Sequence, residues 1–201
     1  TFDCPCEIIS GDMLREDSLR KGCEGAEAIV HLAALKSDES NIWKVNVSGA
    51  ENLIHAARAA GVNRIINISS QATRMPLRGD YGNSKAAADA VFLQSGLAVT
   101  TLIPSLVYGP SDPGVFGKLA RFISSYPVVP VFGSGQTHYW PIHVEDLSFL
   151  IAACLKNENT VGKSYSLGGP DKVSFNELID FMSKVLGKKR VKVHIPGILA
   201  L

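Results

Sequence analysis

Asn63–Pro104 reads NRIINISSQATRMPLRGDYGNSKAAADAVFLQSGLAVTTLIP, and the order of its patterns decides the fold. NRIINISS is a short β-branched apolar run that ends in two serines, the pattern of a buried strand. YGNSKAAADAVFLQSG follows with helical character and stops at Gly96, and LAVTTLIPSLVYGP is a second apolar run leading into a turn. Strand, helix and strand in this order describe a parallel pair joined by a crossover helix.

The same alternation continues toward the N-terminus. CEIISGD (Cys6 to Asp12) is expected to be a strand, REDSLRKGCEG a short helix ending at Gly25, and AEAIVHLAA (Ala26 to Ala34) a buried strand. NIWKVNVSGAENLIHAARAAG then places Ile42, Val45, Val47, Ala50, Leu53, Ile54, Ala57 and Ala60 at helical spacing up to Gly61. Beyond Pro110, FGKLARFISSY and VEDLSFLIAACLKN are helix-like, and KSYSLGG and KKRVKVHIP have strand character. SFNELIDFMSKVLG reads as a helix with Ser174 as N-cap and Glu177 completing a capping box. The expected fold class is α/β, a doubly wound parallel sheet over residues 1–110. Residues 111–201 would form a small mixed C-terminal lobe interleaved with the last core strands.

Composition narrows the function classes. The 201 residues carry 46% hydrophobic and 19% charged residues with a formal net charge of +1, an ordinary globular composition without a basic footprint for nucleic acid. Lys188-Lys189-Arg190 beside Gly187 is read as a solvated helix end. Cys4, Cys6, Cys23 and Cys154 lack CxxC spacing, so no metal site is expected and a reducing cytoplasm is the expected compartment. No apolar run is long enough for a membrane span, and TFDCPCEIIS lacks the build of a signal peptide.

Chemistry concentrates near Tyr81 and Lys85, four apart and therefore neighbours on one helix face. A free Tyr, with pKa about 10, is a poor acid-base group at neutral pH, and a neighbouring ammonium favours its phenolate. The spacing alone is a weak signal that favours a helix-surface pair over a catalytic pair; its surroundings decide. Ser69 and Ser70 end the preceding strand at the edge where α/β proteins place ligands. The small residues closing IVHLAA would let a flat cofactor approach the backbone. His31 is read as a packed core histidine, His143 as structural, and His138, Tyr139 and Trp140 as packing residues able to reach a substrate.

The ordered set GDM, IVHLAA, NVSGAENL, RIINISS, YGNSK, IPSLVYGPSD and HVEDL resembles the extended short-chain dehydrogenase/reductase superfamily, in particular its NAD-dependent epimerase/dehydratase family. The resemblance runs from about Glu7 to the helix after Ser174 and implies a Rossmann-type core binding NAD or NADP. It assigns Asp12 to the adenine amino group, Met13 to a backbone contact, and Leu32, Ala33 and Ala34 to the strand end beside the cofactor. Asn46 would support the site, Ser70 would hold the substrate oxygen with Ser69 as second choice, and Tyr81 would be the general acid-base residue. Lys85 would bond the nicotinamide ribose and lower the Tyr81 pKa, while Pro104, Leu106 and Val107 would line the nicotinamide.

The chain also departs from the pattern. A Gly-rich strand-to-helix turn does not occur in it, so the N-terminal βαβ unit is expected to be absent and the chain to be a fragment. Ile103 stands where sugar-nucleotide relatives usually carry Arg, QTHYWP lacks another Arg, and the loop LKSDESN is short. The expected activity is hydride transfer at a carbinol or carbonyl carbon of a small-molecule substrate, as an NAD(P)-dependent epimerase or dehydratase of a nucleotide sugar. A reductase or dehydrogenase of a non-sugar carbonyl and a cofactor-binding scaffold without turnover remain alternatives. A homodimer through the YGNSK helix and the helix before it is implied by the resemblance; nucleic acid and membrane are not expected partners.

Overall fold

In this computed structural model residues 6–36, 40–110 and 114–196 are described. Cys4, Ser37 to Glu39 of the short loop, and the IPGILAL end beyond residue 196 lie outside them.

The elements in chain order are α1 (Glu16–Cys23), β1 (Ala28–His31), α2 (Gly49–Ala59), β2 (Arg64–Ile68), α3 (Gly79–Gln94), β3 (Ala98–Pro104) and β4 (Val107–Tyr108). They continue as α4 (Val115–Ser125), β5 (Val128–Phe132), β6 (His138–Tyr139), β7 (Ile142–His143), α5 (Val144–Leu155), β8 (Ser164–Leu167), β9 (Val173–Ser174), α6 (Phe175–Val185) and β10 (Val191–Ile195). The main sheet has the order β1-β2-β3-β8, with β1 parallel to β2 and β2 parallel to β3. Ile66 is in register with Val30 on one side and Thr100 on the other. Parallel strands joined by α2 and α3 are the Rossmann-like architecture the alternation predicts.

Two compact units divide the chain, residues 1–103 with 149–166 and residues 104–148 with 167–201. In the first unit α2 and α3 cover the sheet with Ala50, Leu53, Ile54, Ala57, Ala88 and Phe92 against Ile65 and Val99. Arg64 locks the far end of this sheet: its guanidinium donates to the carbonyls of Ala98 at 2.8 Å and Cys154 at 2.7 Å and to Thr160 Oγ1 at 2.9 Å. α1 ends before Gly25 and α2 before Gly61, whose φ values of 72° and 75° suit glycine at a left-handed helix stop.

The second unit has its own core, in which Leu119 and Ile123 of α4, Val129 and Val131 of β5, and Leu178 and Ile179 of α6 meet. Its strands form small ladders: β5 with β10 in parallel, β4 with β7 in parallel, and β6 with β9 antiparallel. The capping box is formed, with Glu177 N–H donating to Ser174 Oγ at 3.2 Å and Ser174 N–H to Glu177 Oε2 at 2.7 Å.

Two elements differ from expectation. Cys6 to Asp12 is not a strand; the run is apolar enough for one, but it has no ladder partner among the described residues and Ile8 is 82% exposed. The strand expected over Ala26 to Ala34 narrows to Ala28–His31. Leu32, Ala33 and Ala34 leave the ladder as exposed chain at its carboxyl end.

Candidate active site

The end of β2 and one face of α3 build the site. Ser70 is in extended conformation and its Oγ accepts from Ala72 N–H at 3.2 Å, which starts the short 3₁₀ turn Gln71–Arg74. The same hydroxyl lies near enough to the phenol of Tyr81 to favour its ionised form. Ser69 points elsewhere: it is buried, its N–H bonds the Leu102 carbonyl at 2.8 Å, and its hydroxyl donates to Asp89 Oδ2. Because successive strand residues face opposite sides, only one of the two serines can meet Tyr81, and it is Ser70.

Close approach of the turn to α3 depends on Gly82. A Cβ there would lie 2.7 Å from the Ala72 carbonyl oxygen and 2.8 Å from Arg78 Cβ. A glycine after Tyr81 therefore lets the chain fold back onto the helix start and brings Ser70 to the phenol.

Lys85 is 2% exposed, and its Nζ donates to the Ile68 carbonyl at 2.9 Å. Burial lowers its pKa, and the Asp89 carboxylate one turn on counters that shift. For Tyr81 the expectation that Lys85 lowers the pKa is corrected. Burial raises the phenol above its ordinary value, the neighbouring Ser70 hydroxyl only partly offsets this, and Asp89 raises it further. With its ammonium committed to the Ile68 carbonyl, Lys85 does not offset the desolvation of the phenolate. Tyr81 is thus a proton-bearing phenol at neutral pH.

Asn46 lies in a π-helical turn, Lys44–Ser48, that leads into α2. Such single π turns often occur at functional sites, because the extra residue turns a side chain inward. Its carboxamide clamps the chain after β1, accepting from Leu35 N–H at 2.8 Å and donating to the Leu35 carbonyl at 3.0 Å, and it donates to Ser84 Oγ at 3.0 Å. Asn46 therefore supports α3 through Ser84, the residue beside Lys85. The clamp also fixes the chain immediately after Ala33 and Ala34.

Asp12 is held in a tight turn: its Oδ1 accepts from Leu14 N–H at 2.9 Å and its N–H donates to Ser18 Oγ at 2.9 Å. Met13 packs over Gly49, where a Cβ would sit 2.8 Å from Met13 Cβ, and Asn52 Nδ2 bonds the Met13 carbonyl at 2.8 Å. In the second unit Pro104 ends β3, Leu106 accepts from Ile142 N–H at 2.9 Å, and Val107 pairs with Ile142 in the β4–β7 ladder. His143 lies edge-on to Tyr108, Trp140 carries the Lys172 ammonium 5.5 Å from its ring centroid, and His138 and Tyr139 form β6.

His31 is 4% exposed, and its ring lies 5.1 Å from that of Phe92. Burial, with Lys85 adding repulsion, lowers its pKa to about 4, so the imidazole is neutral at pH 7. In the unfolded chain it titrates near 6.5, so between these values the unfolded state binds the extra proton and stability falls with falling pH. Denaturant unfolding of wild type against His31→Phe is expected to show this, with the wild type losing roughly 3 kcal/mol more than the variant between neutral pH and pH 4.

The reading from sequence missed Asp89. Its carboxylate accepts from Asn67 Nδ2 at 2.8 Å and from Ser69, and burial raises its pKa against those two bonds and the charges of Lys85 and Arg74. The signal available was its place four residues after Lys85. Among the described residues no group of three or more His, Cys, Asp or Glu could hold a metal ion, and no helix is long and apolar enough to cross a membrane.

The donor set fits part of a nicotinamide dinucleotide. An ammonium has three N–H donors, of which Lys85 directs one to Ile68, and the Ala33 and Ala34 backbone lies exposed beyond β1. The profile of the NAD dependent epimerase/dehydratase family matches residues 2–168, and the chain belongs to that family.

Its similarity to individual proteins is more distant. It is 30% identical over 201 residues to the ceramide reductase of Caulobacter vibrioides, covering 98% of this chain and 62% of that protein. It is 27% identical over 185 residues to the mitochondrial NADH dehydrogenase [ubiquinone] 1 alpha subcomplex subunit 9 of Arabidopsis thaliana, covering 90% of this chain and 46% of that protein. Among solved structures, the dTDP-glucose 4,6-dehydratase DesIV of Streptomyces venezuelae, crystallised with NAD, superposes with a TM-score of 0.80 at 23% identity. That match covers 92% of this chain and 66% of DesIV, and it establishes the fold. The chain thus spans less than two thirds of these relatives' lengths.

Proposed function

We propose that the protein carrying this chain is an NAD(P)-dependent oxidoreductase that moves a hydride reversibly at a carbinol or carbonyl carbon, with Tyr81 as its acid-base residue. The observation that carries the reading is the convergence of Ser70, Tyr81 and Lys85 where the end of β2 meets α3. Bound at this edge, the nicotinamide supplies or accepts the hydride. Ser70 holds the substrate oxygen and Tyr81, protonated at neutral pH, gives its phenolic proton to that oxygen as the carbonyl is reduced. Lys85 holds the nicotinamide ribose, Asn46 keeps the chain beyond β1 and α3 in place, and Asp12, Met13, Leu32, Ala33 and Ala34 bind the adenosine side.

For the substrate, an apolar carbonyl compound is the reading we favour. Support comes from the ceramide reductase relative and from Ile103, which is apolar and 4% exposed where sugar-nucleotide relatives usually carry Arg. A nucleotide sugar, oxidised transiently by an epimerase or dehydratase, is the second reading, favoured by the ordered family motifs through HVEDL. Incubation with NADH or NADPH and a ceramide-type ketone, and separately with NAD and dTDP-glucose, distinguishes them. Stoichiometric loss of the nicotinamide absorbance with the ketone supports the reductase. Conversion of dTDP-glucose without net absorbance change supports the epimerase or dehydratase, and neither change with either compound argues for a cofactor-binding scaffold.

A further inference from the structure

Asp89 lies two helical turns beyond Tyr81 and one beyond Lys85, so all three share one face of α3. Opposite them stand the last two residues of β2 and the two that follow it, Asn67 to Ser70. Asn67 donates to Asp89 Oδ1 at 2.8 Å, the Ile68 carbonyl accepts from Lys85 at 2.9 Å, Ser69 donates to Asp89 Oδ2, and the Ser70 hydroxyl stands beside the Tyr81 phenol. The strand's period of two sends Asn67 and Ser69 to one partner and leaves the residues between and after them for the other two.

Slipping this strand end by one residue would put Ile68 at the carboxylate and Ser69 at the phenol. Both oxygens of a half-buried Asp89 would then lose their donors, a costly arrangement for a carboxylate. The charged and titratable groups around it are Lys85 and Tyr81 on its own helix, Arg74 on the 3₁₀ turn, and His31 on β1, which is neutral and faces Lys85.

We propose that Asp89 is a positioning residue for the acid-base set: its two accepted hydrogen bonds fix the phase of the β2 end against α3, so that Ser70 meets Tyr81 and the Ile68 carbonyl meets Lys85, while its charge stands behind the Lys85 ammonium. The catalytic consequence rests on the oxidoreductase reading above; the electrostatic one does not. Asp89→Asn keeps the size of the side chain and removes the charge. Ser69→Ala keeps the charge and removes one donor.

The test is an NMR titration of Tyr81 in protein labelled at tyrosine Cζ, assigned with Tyr81→Phe, together with turnover of the ceramide-type ketone and dTDP-glucose. In Asp89→Asn the Tyr81 midpoint is expected to fall by roughly half a pH unit or more, because a nearby negative charge is gone. Turnover is expected to drop about tenfold or more with little change in substrate KM, the behaviour of a group that orients a reacting one. An Asp89→Asn protein that melts cooperatively with an unmoved midpoint and wild-type turnover overturns the proposal, and a moved midpoint with wild-type turnover overturns its positioning part.

If Asp89→Asn does not fold, Ser69→Ala decides. With one donor lost, the carboxylate takes up its proton sooner, so the acid limb of the pH–rate profile moves to higher pH; an acid limb identical to wild type overturns the proposal. Full activity in Tyr81→Phe would instead sink the oxidoreductase reading while leaving the Asp89→Asn titration shift to stand or fall by itself.

Discussion

Tyr81→Phe is expected to lower turnover by about 10²–10⁴-fold, the usual contribution of a positioned acid or base, while leaving nicotinamide binding within a few-fold of wild type. The phenylalanine ring occupies the same half-buried place and removes only the hydroxyl, so the loss isolates proton transfer. Since burial and Asp89 both hold the phenol above its ordinary pKa, the proton-donating form persists through neutral pH. Reduction is therefore expected to stay level across the neutral range and to fall only in strongly alkaline solution, whereas oxidation, which needs the phenolate, rises with pH. Steady-state rates in the two directions, measured as a function of pH in wild type and Tyr81→Phe, check this.

Phe92→Ala is expected to have the largest effect on stability, about 3–5 kcal/mol, because it opens a cavity beneath the site. Phe92 is fully buried on α3, packs among Ala57, Ile65, Ala88 and Val99, and carries the His31 ring against its own. Among the described residues it is the largest of the fully buried side chains. Its removal loosens the helix face that presents Tyr81 and Lys85, so activity should fall with stability and recover partly in Phe92→Leu. Urea unfolding of the three proteins measures the first effect and turnover in the absence of urea the second.

What the sequence made legible follows from range. The α2 and α3 spans, their stops at Gly61 and Gly96, and the Ser174–Glu177 capping box are local patterns, readable without a partner. Residues 6–12 carry the pattern of a strand yet form none, since a strand exists only where a second segment completes its ladder. For the same reason the two-residue ladders β4–β7 and β6–β9 were invisible, and β5 was hidden further by Pro130 inside it. At the site, Tyr81 and Lys85 could be picked out by spacing and Ser70 by its place after a strand.

The network around Asp89 could not be read in this way. Asn67 and Ser69 approach it from 22 and 20 residues away, and nothing local to YGNSK announces them. The direction of the Tyr81 shift was also hidden, because it depends on how deeply the phenol is buried and on where the Lys85 ammonium points. Asn46 was named through the family pattern, but the π turn that aims it at Leu35 and Ser84 has no signature in NVSG.

The most direct measurement is transfer of deuterium from NADH or NADPH deuterated at the nicotinamide C4 into the product of a ceramide-type ketone, followed by mass spectrometry in wild type and Tyr81→Phe. The predicted result is an alcohol carrying one deuterium at the carbinol carbon in the wild type, with formation slowed about a hundredfold or more in Tyr81→Phe although the cofactor still binds. Equal rates of deuterium transfer in the two proteins would contradict the assignment of Tyr81 as the acid-base centre.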